Sequence, residues 1–315
     1  MRKTAFALAA LGPVLLAGCA GGQAPAATLP VAAPAPVSAP APAATAPGER
    51  PAPDTMRWLY GSGEAAGASI QAYRMLADYA IAEAKTAPAQ SVMMGLPGAE
   101  GGVGAVSCRN ADGSRKAPAV VFDADETVIL NSGFEYWQAT HDGAYDAKVW
   151  ERWERDGARF AAPVPRAVTG LRRLREAGIT PVFNTNRASS TADGTVAALA
   201  AAGLGDAVHG ETLFLRGDDA TGSAKDGRRA MIAARYCVIA LAGDNLGDFA
   251  DMLNDSALGV QQRRALTARG EIAQLWGNGW FMLPNPVYGA SIRGTIDEVF
   301  PPEARWSPDA PPPKP

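Results

Sequence analysis

The sequence predicts an α/β fold in which a parallel sheet carries helices on both faces. Short apolar runs typical of strands alternate with amphipathic helical segments beyond residue 119, and this alternation is typical of parallel sheets. The strand candidates are followed by polar and charged residues, as expected where ligands bind at the carboxyl edge of such a sheet. The 315 residues are 47% hydrophobic and 19% charged, which is ordinary for one large globular domain.

The N-terminus has the pattern of an export signal. Arg2 and Lys3 precede a short apolar run, which ends in Gly18 and Cys19. This run is too short to span a bilayer as a helix. The letters LAGC resemble the bacterial lipobox, which is cut before the cysteine, so we expect a signal peptide over 1–18 and a lipid on Cys19. The alternative is a plain signal peptide with an incidental cysteine.

The segment after Cys19 is expected to be a tether. Residues 24–53 are nearly all Ala and Pro, with nine prolines, and such a composition cannot bury a core. We therefore predict a tether over 19–53, a folded domain over 54–305 and a disordered tail over 306–315.

Localisation and partners follow from the same features. Residue 20 is Ala rather than Asp, which in Gram-negative lipoproteins resembling this chain favours the outer membrane. The cell envelope is thus the expected location, with the chain anchored by lipid. The net charge of −3 and the absence of a basic stripe argue against a nucleic-acid polymer as partner.

The domain begins with helical periodicity. Tyr73, Ala77 and Ala80 recur at three- and four-residue steps, which predicts one helix from Trp58 to Lys85. The glycine-rich stretch 94–104 lacks the GK[ST] ending of a phosphate-binding loop and indicates an ordinary loop.

The remaining elements alternate in type. Strands are predicted over 119–123, 180–186, 212–216, 238–245 and 280–285, and helices over 164–178, 190–203 and 225–236. In the helix 164–178, we expect Val168, Leu171 and Leu174 to point inward.

Chemically active side chains cluster at the predicted strand ends. The first strand leads into Asp123-Ala124-Asp125-Glu126-Thr127, the second into Thr185-Asn186-Arg187, and the fourth into a segment from Gly243 to Asp248. Lys225 opens the helix before the fourth strand. Because the carboxyl ends of parallel strands share one edge, we expect these groups to converge.

The order DxDxT, strand-end TN, lysine and GDxxxD resembles the haloacid dehalogenase (HAD) superfamily of phosphatases. The stretches WLYGSGEAAGASIQAY, DADETVILNS, VFNTNR, GDNLGDF and LPNPVYG are similar to the class C acid phosphatases, which are bacterial surface lipoproteins with 5′-nucleotidase activity. The resemblance implies a HAD-like Rossmannoid sheet with a small helical cap inserted at about 131–163. Ala124 stands where these proteins often have Leu, and GDDATGSAKDGRR is the loosest match.

The resemblance also implies a set of catalytic roles. Asp123 is the expected nucleophile, because a carboxylate can attack phosphorus and form an aspartyl-phosphate. Asp125 is the expected general acid and base. Mg²⁺ prefers oxygen ligands, and the resemblance assigns it the Asp123 carboxylate, the Asp125 backbone carbonyl and Asp244. Asp248 is expected to bind either a water molecule on the ion or the local backbone.

Further residues are expected to bind the phosphate and the leaving group. Thr185 would donate its hydroxyl to a phosphoryl oxygen, assisted by the backbone around Asn186. Lys225 would offset the charge between nucleophile and phosphate. Arg187 would bind substrate or lie on the surface. Trp150 and Tyr288 match positions whose aromatic rings stack on the leaving group in similar enzymes. The alternative is that these two rings have a purely structural role.

The sequence thus predicts a Mg²⁺-dependent phosphomonoesterase acting on small phosphate esters, nucleoside monophosphates and aryl phosphates among them. The alternative is a non-catalytic surface lipoprotein that binds a phosphorylated ligand. Cys108 and Cys237 pair or stay as buried thiols, and the sequence does not decide between these states. It is compatible with a homodimer without deciding the oligomeric state.

Overall fold

The computed structural model describes residues 50–96, 102–141 and 143–309. The expected signal peptide, the lipidation site Cys19, the tether up to residue 49 and the end of the expected tail, 310–315, lie outside the described residues.

A five-stranded parallel sheet forms the centre of the domain. Its strands are β1 (Ala117–Phe122), β4 (Thr180–Ala188), β5 (Leu213–Arg216), β6 (Tyr236–Gly243) and β7 (Trp280–Met282), in the order β5-β4-β1-β6-β7. The strands are parallel at every pairing, as the alternation in the sequence predicts. Two short strands, β2 (Ile129–Leu130) and β3 (Ala162–Pro163), form a separate antiparallel pair.

Helices cover both faces of the sheet. They are α1 (Asp54–Gly61), α2 (Gly63–Thr86), α3 (Ser132–Thr140), α4 (Ala147–Asp156), α5 (Ala167–Glu176), α6 (Ala192–Ala201), α7 (Asp226–Arg235), α8 (Val260–Thr267), α9 (Gly270–Leu275) and α10 (Ile296–Val299). Buried side chains of α2, α5 and α6 join one hydrophobic cluster, while those of α7 and α9 join another. In β1, Val120 and Phe122 belong to the first cluster and Ala119 and Val121 to the second, because successive side chains of a strand point to opposite faces.

The predicted first helix is wrong in one respect, because two helices occupy its place. Ser62 has extended backbone angles between α1 and α2, and its hydroxyl accepts a hydrogen bond from Ala65 N at 3.1 Å. A serine in this conformation satisfies one of the amide groups left free at a helix start. Ser62 therefore ends one helix and caps the next, although the apolar periodicity continues across it.

The helix α5 also corrects a detail of the prediction. Leu171 and Leu174 are fully buried, whereas Val168 is 37% exposed. The apolar face of α5 is therefore narrower than the sequence pattern indicates.

A small cap lies between β2 and β3. It contains α3 and α4, within the range 131–163 expected from the sequence. Its aromatic side chains pack on one another, with the rings of Phe134 and Trp150 edge to face at 4.8 Å. The antiparallel pairing of Ile129 with Pro163 closes the base of this insert.

A disulfide joins Cys108 to Cys237, whose Cα atoms lie 4.6 Å apart. It links the segment before β1 to the second residue of β6, so the alternative left open by the sequence resolves to a bond. Within the described ranges, no helix is both long and apolar enough to cross a bilayer.

Candidate active site

Asp123 follows the last residue of β1, in the middle of the sheet. Its backbone N–H donates to Ala242 O of β6 at 2.9 Å, which continues the sheet ladder by one residue. The residue is only 8% exposed, and its side chain lines a cavity of about 750 Å³ at the carboxyl edge. The central position of β1 thus places this carboxylate between the groups at the carboxyl ends of β4 and β6.

Three carboxylates and one lysine form the centre of the site. Carboxylate oxygens of Asp123, Asp244 and Asp248 lie within 4.8 Å of one another. The Lys225 ammonium lies 2.5 Å from Asp123 Oδ1 and 2.7 Å from Asp248 Oδ1. The expected convergence of these four residues is therefore found in the structure, although they are separated by up to 125 positions in the chain.

Burial and like charge perturb these groups strongly. Burial raises the pKa of Asp123 to about 7, in spite of Lys225, and the carboxylates of Asp248 and Asp125 add to the rise. Burial, together with Asp248 and Asp123, raises the pKa of Asp244 well above its ordinary value. Burial alone would lower the pKa of Lys225, but Asp123 and Asp248 raise it above its ordinary value. The site therefore favours a bound cation.

Neighbouring polar groups orient Asp244. Thr127 Oγ1 donates to its Oδ1 at 3.0 Å, and Asn285 Nδ2 donates to its Oδ2 at 2.7 Å. Thr127 is the final residue of the DxDxT pattern, so this threonine ties the loop after β1 to the loop after β6. Asn285 was not identified from the sequence as a site residue.

Asp125 lines the cavity, and Arg187 fixes its position. Arg187 Nη2 and Nε lie 2.8 Å and 2.9 Å from Asp125 Oδ1, and Asn131 Nδ2 donates to the same oxygen at 2.9 Å. Arg187 is only 2% exposed, and its Nη2 also donates to Asn131 Oδ1 at 2.9 Å. Arg187 therefore does not lie on the surface, and its guanidinium is engaged by Asp125; that it binds substrate stays a prediction.

The last residues of β4 include Thr185 and Asn186. Thr185 is fully buried, and its Oγ1 accepts a hydrogen bond from Arg187 N at 3.2 Å. Asn186 is exposed and lines the cavity, with its Nδ2 bonded to Ser223 O at 3.0 Å. This end of β4 lies beside the cavity, with Asn186 rather than Thr185 forming part of the cavity wall.

The start of α7 supports both the end of β4 and the loop after β6. Lys225, Arg228 and Arg229 are buried and share one helix face, being three and four residues apart. Arg228 donates to Thr185 O and, at 2.6 Å, to Asn186 Oδ1. Arg229 Nη1 donates to Asp248 O at 2.9 Å. Only the lysine of this trio was recognised from the sequence.

The two aromatic residues expected to stack on a leaving group both line the cavity. Trp150, on α4, donates its Nε1–H to Glu154 Oε1 at 2.6 Å. Tyr288, in the loop after β7, donates its hydroxyl to Glu126. Each ring is thus held by a hydrogen bond at its polar end, which leaves its apolar body to form the cavity wall.

Glu126 organises the loop after β1 and was missed by the sequence reasoning. It is almost fully buried, and its φ of 55° is a left-handed backbone conformation that residues other than glycine rarely adopt. Its carboxylate accepts hydrogen bonds from Tyr60 at 3.0 Å, from Asn131 N at 2.8 Å and from Tyr288. These bonds connect α1, the cap and the loop after β7 to one carboxylate. Nothing in DADET distinguishes this glutamate from a solvated one.

Comparisons with known proteins agree with this geometry. The family model described as HAD superfamily, subfamily IIIB (Acid phosphatase) matches residues 98–291, which is more than half of the chain. Two solved structures of the class C acid phosphatase from Bacillus anthracis, one with tungstate bound, are similar in fold. Each has 22% sequence identity and a TM-score of 0.58, over 75% of this chain and 84% of the other.

Proposed function

Because the chain belongs to subfamily IIIB of the HAD superfamily, the acid phosphatases, and is thus a phosphoric monoester hydrolase, we propose that it acts with Mg²⁺ through an aspartyl-phosphate on Asp123. The observation that carries this proposal is the carboxylate of Asp123, which lines the cavity between Lys225 and the carboxylates of Asp244 and Asp248. This arrangement combines a nucleophile with the means to neutralise an anionic substrate.

The donor set fits a hard divalent cation. Three buried carboxylates within 4.8 Å repel one another, and oxygen is the donor that Mg²⁺ prefers. The superfamily generally uses a divalent metal, and we propose that Asp123, Asp244 and the Asp125 backbone carbonyl would hold Mg²⁺ here, with Asp248 beside it. The ion would supply positive charge that draws the phosphoryl group toward the carboxylates.

In the first step, an Asp123 carboxylate oxygen attacks phosphorus. The new carboxylate oxygen–phosphorus bond forms as the ester oxygen–phosphorus bond breaks, and Asp125 gives a proton to the departing oxygen. Lys225 reduces the repulsion between the nucleophile and the phosphoryl oxygens. Arg187 and Asn131 keep the Asp125 carboxyl turned into the cavity, which the proton transfer requires.

In the second step, water attacks phosphorus while Asp125 takes a proton from it. The bond between phosphorus and the Asp123 oxygen breaks, inorganic phosphate leaves, and the free carboxylate returns. Asn186 and the backbone beside it border the cavity where the phosphoryl oxygens would lie, braced by Arg228. Most of the expected rate gain comes from positioning and charge, as is general for phosphoryl transfer.

We propose small phosphate esters as substrates, including nucleoside monophosphates and aryl phosphates. The cavity extends from the carboxylates to the aromatic side chains of the cap, with Trp150 and Tyr288 in its wall. Ring faces accept nucleobases and aryl groups alike, since both present a π surface.

We also propose that the chain is anchored by lipid on Cys19, in the cell envelope and at the outer membrane. Support comes from the signal-like start, the LAGC letters and Ala20. Mass spectrometry of the mature N-terminus tests this, with Cys19→Ser expected to release the protein from membranes. A homodimer stays a prediction, to be tested by light scattering.

The central test is phosphate release by the purified domain. Activity is expected to disappear with EDTA, to return with Mg²⁺, and to be lost in Asp123→Asn with the fold intact by circular dichroism. A wild-type rate in Asp123→Asn would show the nucleophile to be wrong. Phosphate binding without any turnover by wild type would instead favour the non-catalytic alternative.

A further inference from the structure

The cap places an unpaired carboxylate in the wall of the cavity. Glu135, on α3, is 6% exposed and lines the same cavity as Asp123 and Asp125. Among the described residues, its side chain makes no hydrogen bond and no ion pair. Burial, with a smaller contribution from Glu126, raises the pKa of Glu135 to about 7. The mechanism proposed above does not use this residue.

A second unpaired acceptor lies one turn further along α3. Gln138 Oε1 is buried and has no hydrogen-bond partner in the described part of the chain. Its Nε2 donates to Gly143 O at 3.2 Å, which fixes the orientation of the amide. Residues three apart share a helix face, and both side chains line one wall of the cavity. Buried polar groups are nearly always hydrogen-bonded, so the unpaired Glu135 carboxylate in this wall indicates a place where a ligand could donate a hydrogen bond.

The surroundings determine which partner would fit. Phe134, Tyr145 and Trp150 line this end of the cavity with aromatic surface. Two of the nearby cations are engaged, Lys225 with Asp123 and Arg187 with Asp125, whereas Arg216 lines the cavity near Tyr145. The face of α3 offers acceptors beside aromatic rings, which suits a group bearing N–H bonds, whether neutral or charged.

We propose that Glu135, together with Gln138, selects phosphomonoesters whose leaving group carries an N–H donor next to an apolar or aromatic body. Two sources share this chemistry, an aliphatic ammonium and the exocyclic amine of a nucleobase. The inference rests on the proposed function, because it assigns this end of the cavity to the leaving group.

The test compares substrates that differ only in the donor. The first pair is 4-(2-aminoethyl)phenyl phosphate and 4-propylphenyl phosphate, which have the same shape. The second pair is adenosine 5′-monophosphate and purine riboside 5′-monophosphate, which differ only in the exocyclic amine of the base. The ratio of kcat/KM within each pair is measured for wild type, Glu135→Leu, Glu135→Gln and a control, Glu211→Gln, whose carboxylate is exposed in a distant turn.

Wild type and the control are expected to prefer the amine-bearing member of at least one pair by about tenfold or more, as one charge-assisted hydrogen bond permits. The pair that shows the preference identifies the source of the donor. Glu135→Leu is expected to lower that ratio about tenfold through the amine-bearing member alone, with a smaller decrease in Glu135→Gln. The rate with 4-propylphenyl phosphate should change less than about threefold.

The proposal is overturned if wild type shows no preference in either pair, or if the preference persists in both Glu135 variants. Should neither variant fold, inhibition of wild type by tyramine and by 4-propylphenol decides: equal inhibition overturns the proposal. If the proposed function itself fails, wild type hydrolyses none of the substrates, and both proposals are overturned. Hydrolysis of 4-propylphenyl phosphate by wild type excludes that case.

Discussion

Replacing Glu135 by glutamine should make the protein more stable at neutral pH but not at acid pH. Glutamine has the same shape as glutamate and never ionises, so it removes the cost of a charge in this buried position. The ordinary pKa of the group is 4.5, and the folded value is about 7 because of burial and the nearby Glu126.

The sign follows from proton binding. Between pH 4.5 and about 7 the folded chain holds this proton more tightly than the unfolded chain does, so the free energy of unfolding of wild type falls as pH rises. The interval from 4.5 to about 7, at about 1.4 kcal/mol for each pH unit, corresponds to about 3 kcal/mol. The unfolding free energy of Glu135→Gln minus that of wild type should therefore increase by about 3 kcal/mol from pH 4 to pH 8.

Urea unfolding followed by tryptophan fluorescence measures this difference, with EDTA present and the disulfide intact. Glu211→Gln, at an exposed glutamate outside the cavity, serves as the matched control. A flat difference for Glu135→Gln, or one that decreases with pH, would refute the assignment of a buried, unpaired carboxylate.

Three further predictions concern buried pairings. Arg187→Lys should lower kcat about 10- to 100-fold with little change in KM, because one ammonium cannot replace the two guanidinium nitrogens that hold Asp125. A rise in KM with an unchanged kcat in steady-state kinetics would contradict this. Lys225→Met should lower the free energy of unfolding by about 3–5 kcal/mol in EDTA, since Asp123 and Asp248 lose their buried partner. Urea unfolding with Mg²⁺ should show a smaller loss, and an equal loss in both conditions would argue against the shared ion. Replacing both Cys108 and Cys237 by serine should cost about 2–5 kcal/mol, because the bond closes a loop with a sequence separation of 129; chemical unfolding of this variant should match that of reduced wild type, and a loss below about 1 kcal/mol would contradict the entropic account.

Much of the fold could be predicted because its signals are local. Each sheet strand is a short apolar run, and the helices between strands carry their own periodicity and stop residues, so the parallel architecture follows from their alternation. Local signals failed where competing local chemistry was decisive. Ser62 divides the first predicted helix because its hydroxyl caps a new helix start, although the apolar spacing runs through it.

The central carboxylates could be located for a related reason. Asp123, Asp244 and Asp248 follow strands of one parallel sheet, and the carboxyl ends of such strands necessarily meet at one edge. Their approach to within 4.8 Å is therefore a consequence of topology, which the order of elements already contains.

The sequence by itself determined the alternation of elements and the residues that meet at the sheet edge, since both depend on neighbours along the chain. Only the tertiary structure decided that Arg187 holds Asp125, that Glu126 joins three separate segments, and that Glu135 faces the cavity without a partner. The physical reason is that the environment of a buried charge is set by groups far away in the sequence. Arg187 and Asp125 are 62 positions apart, and no local pattern records that they touch.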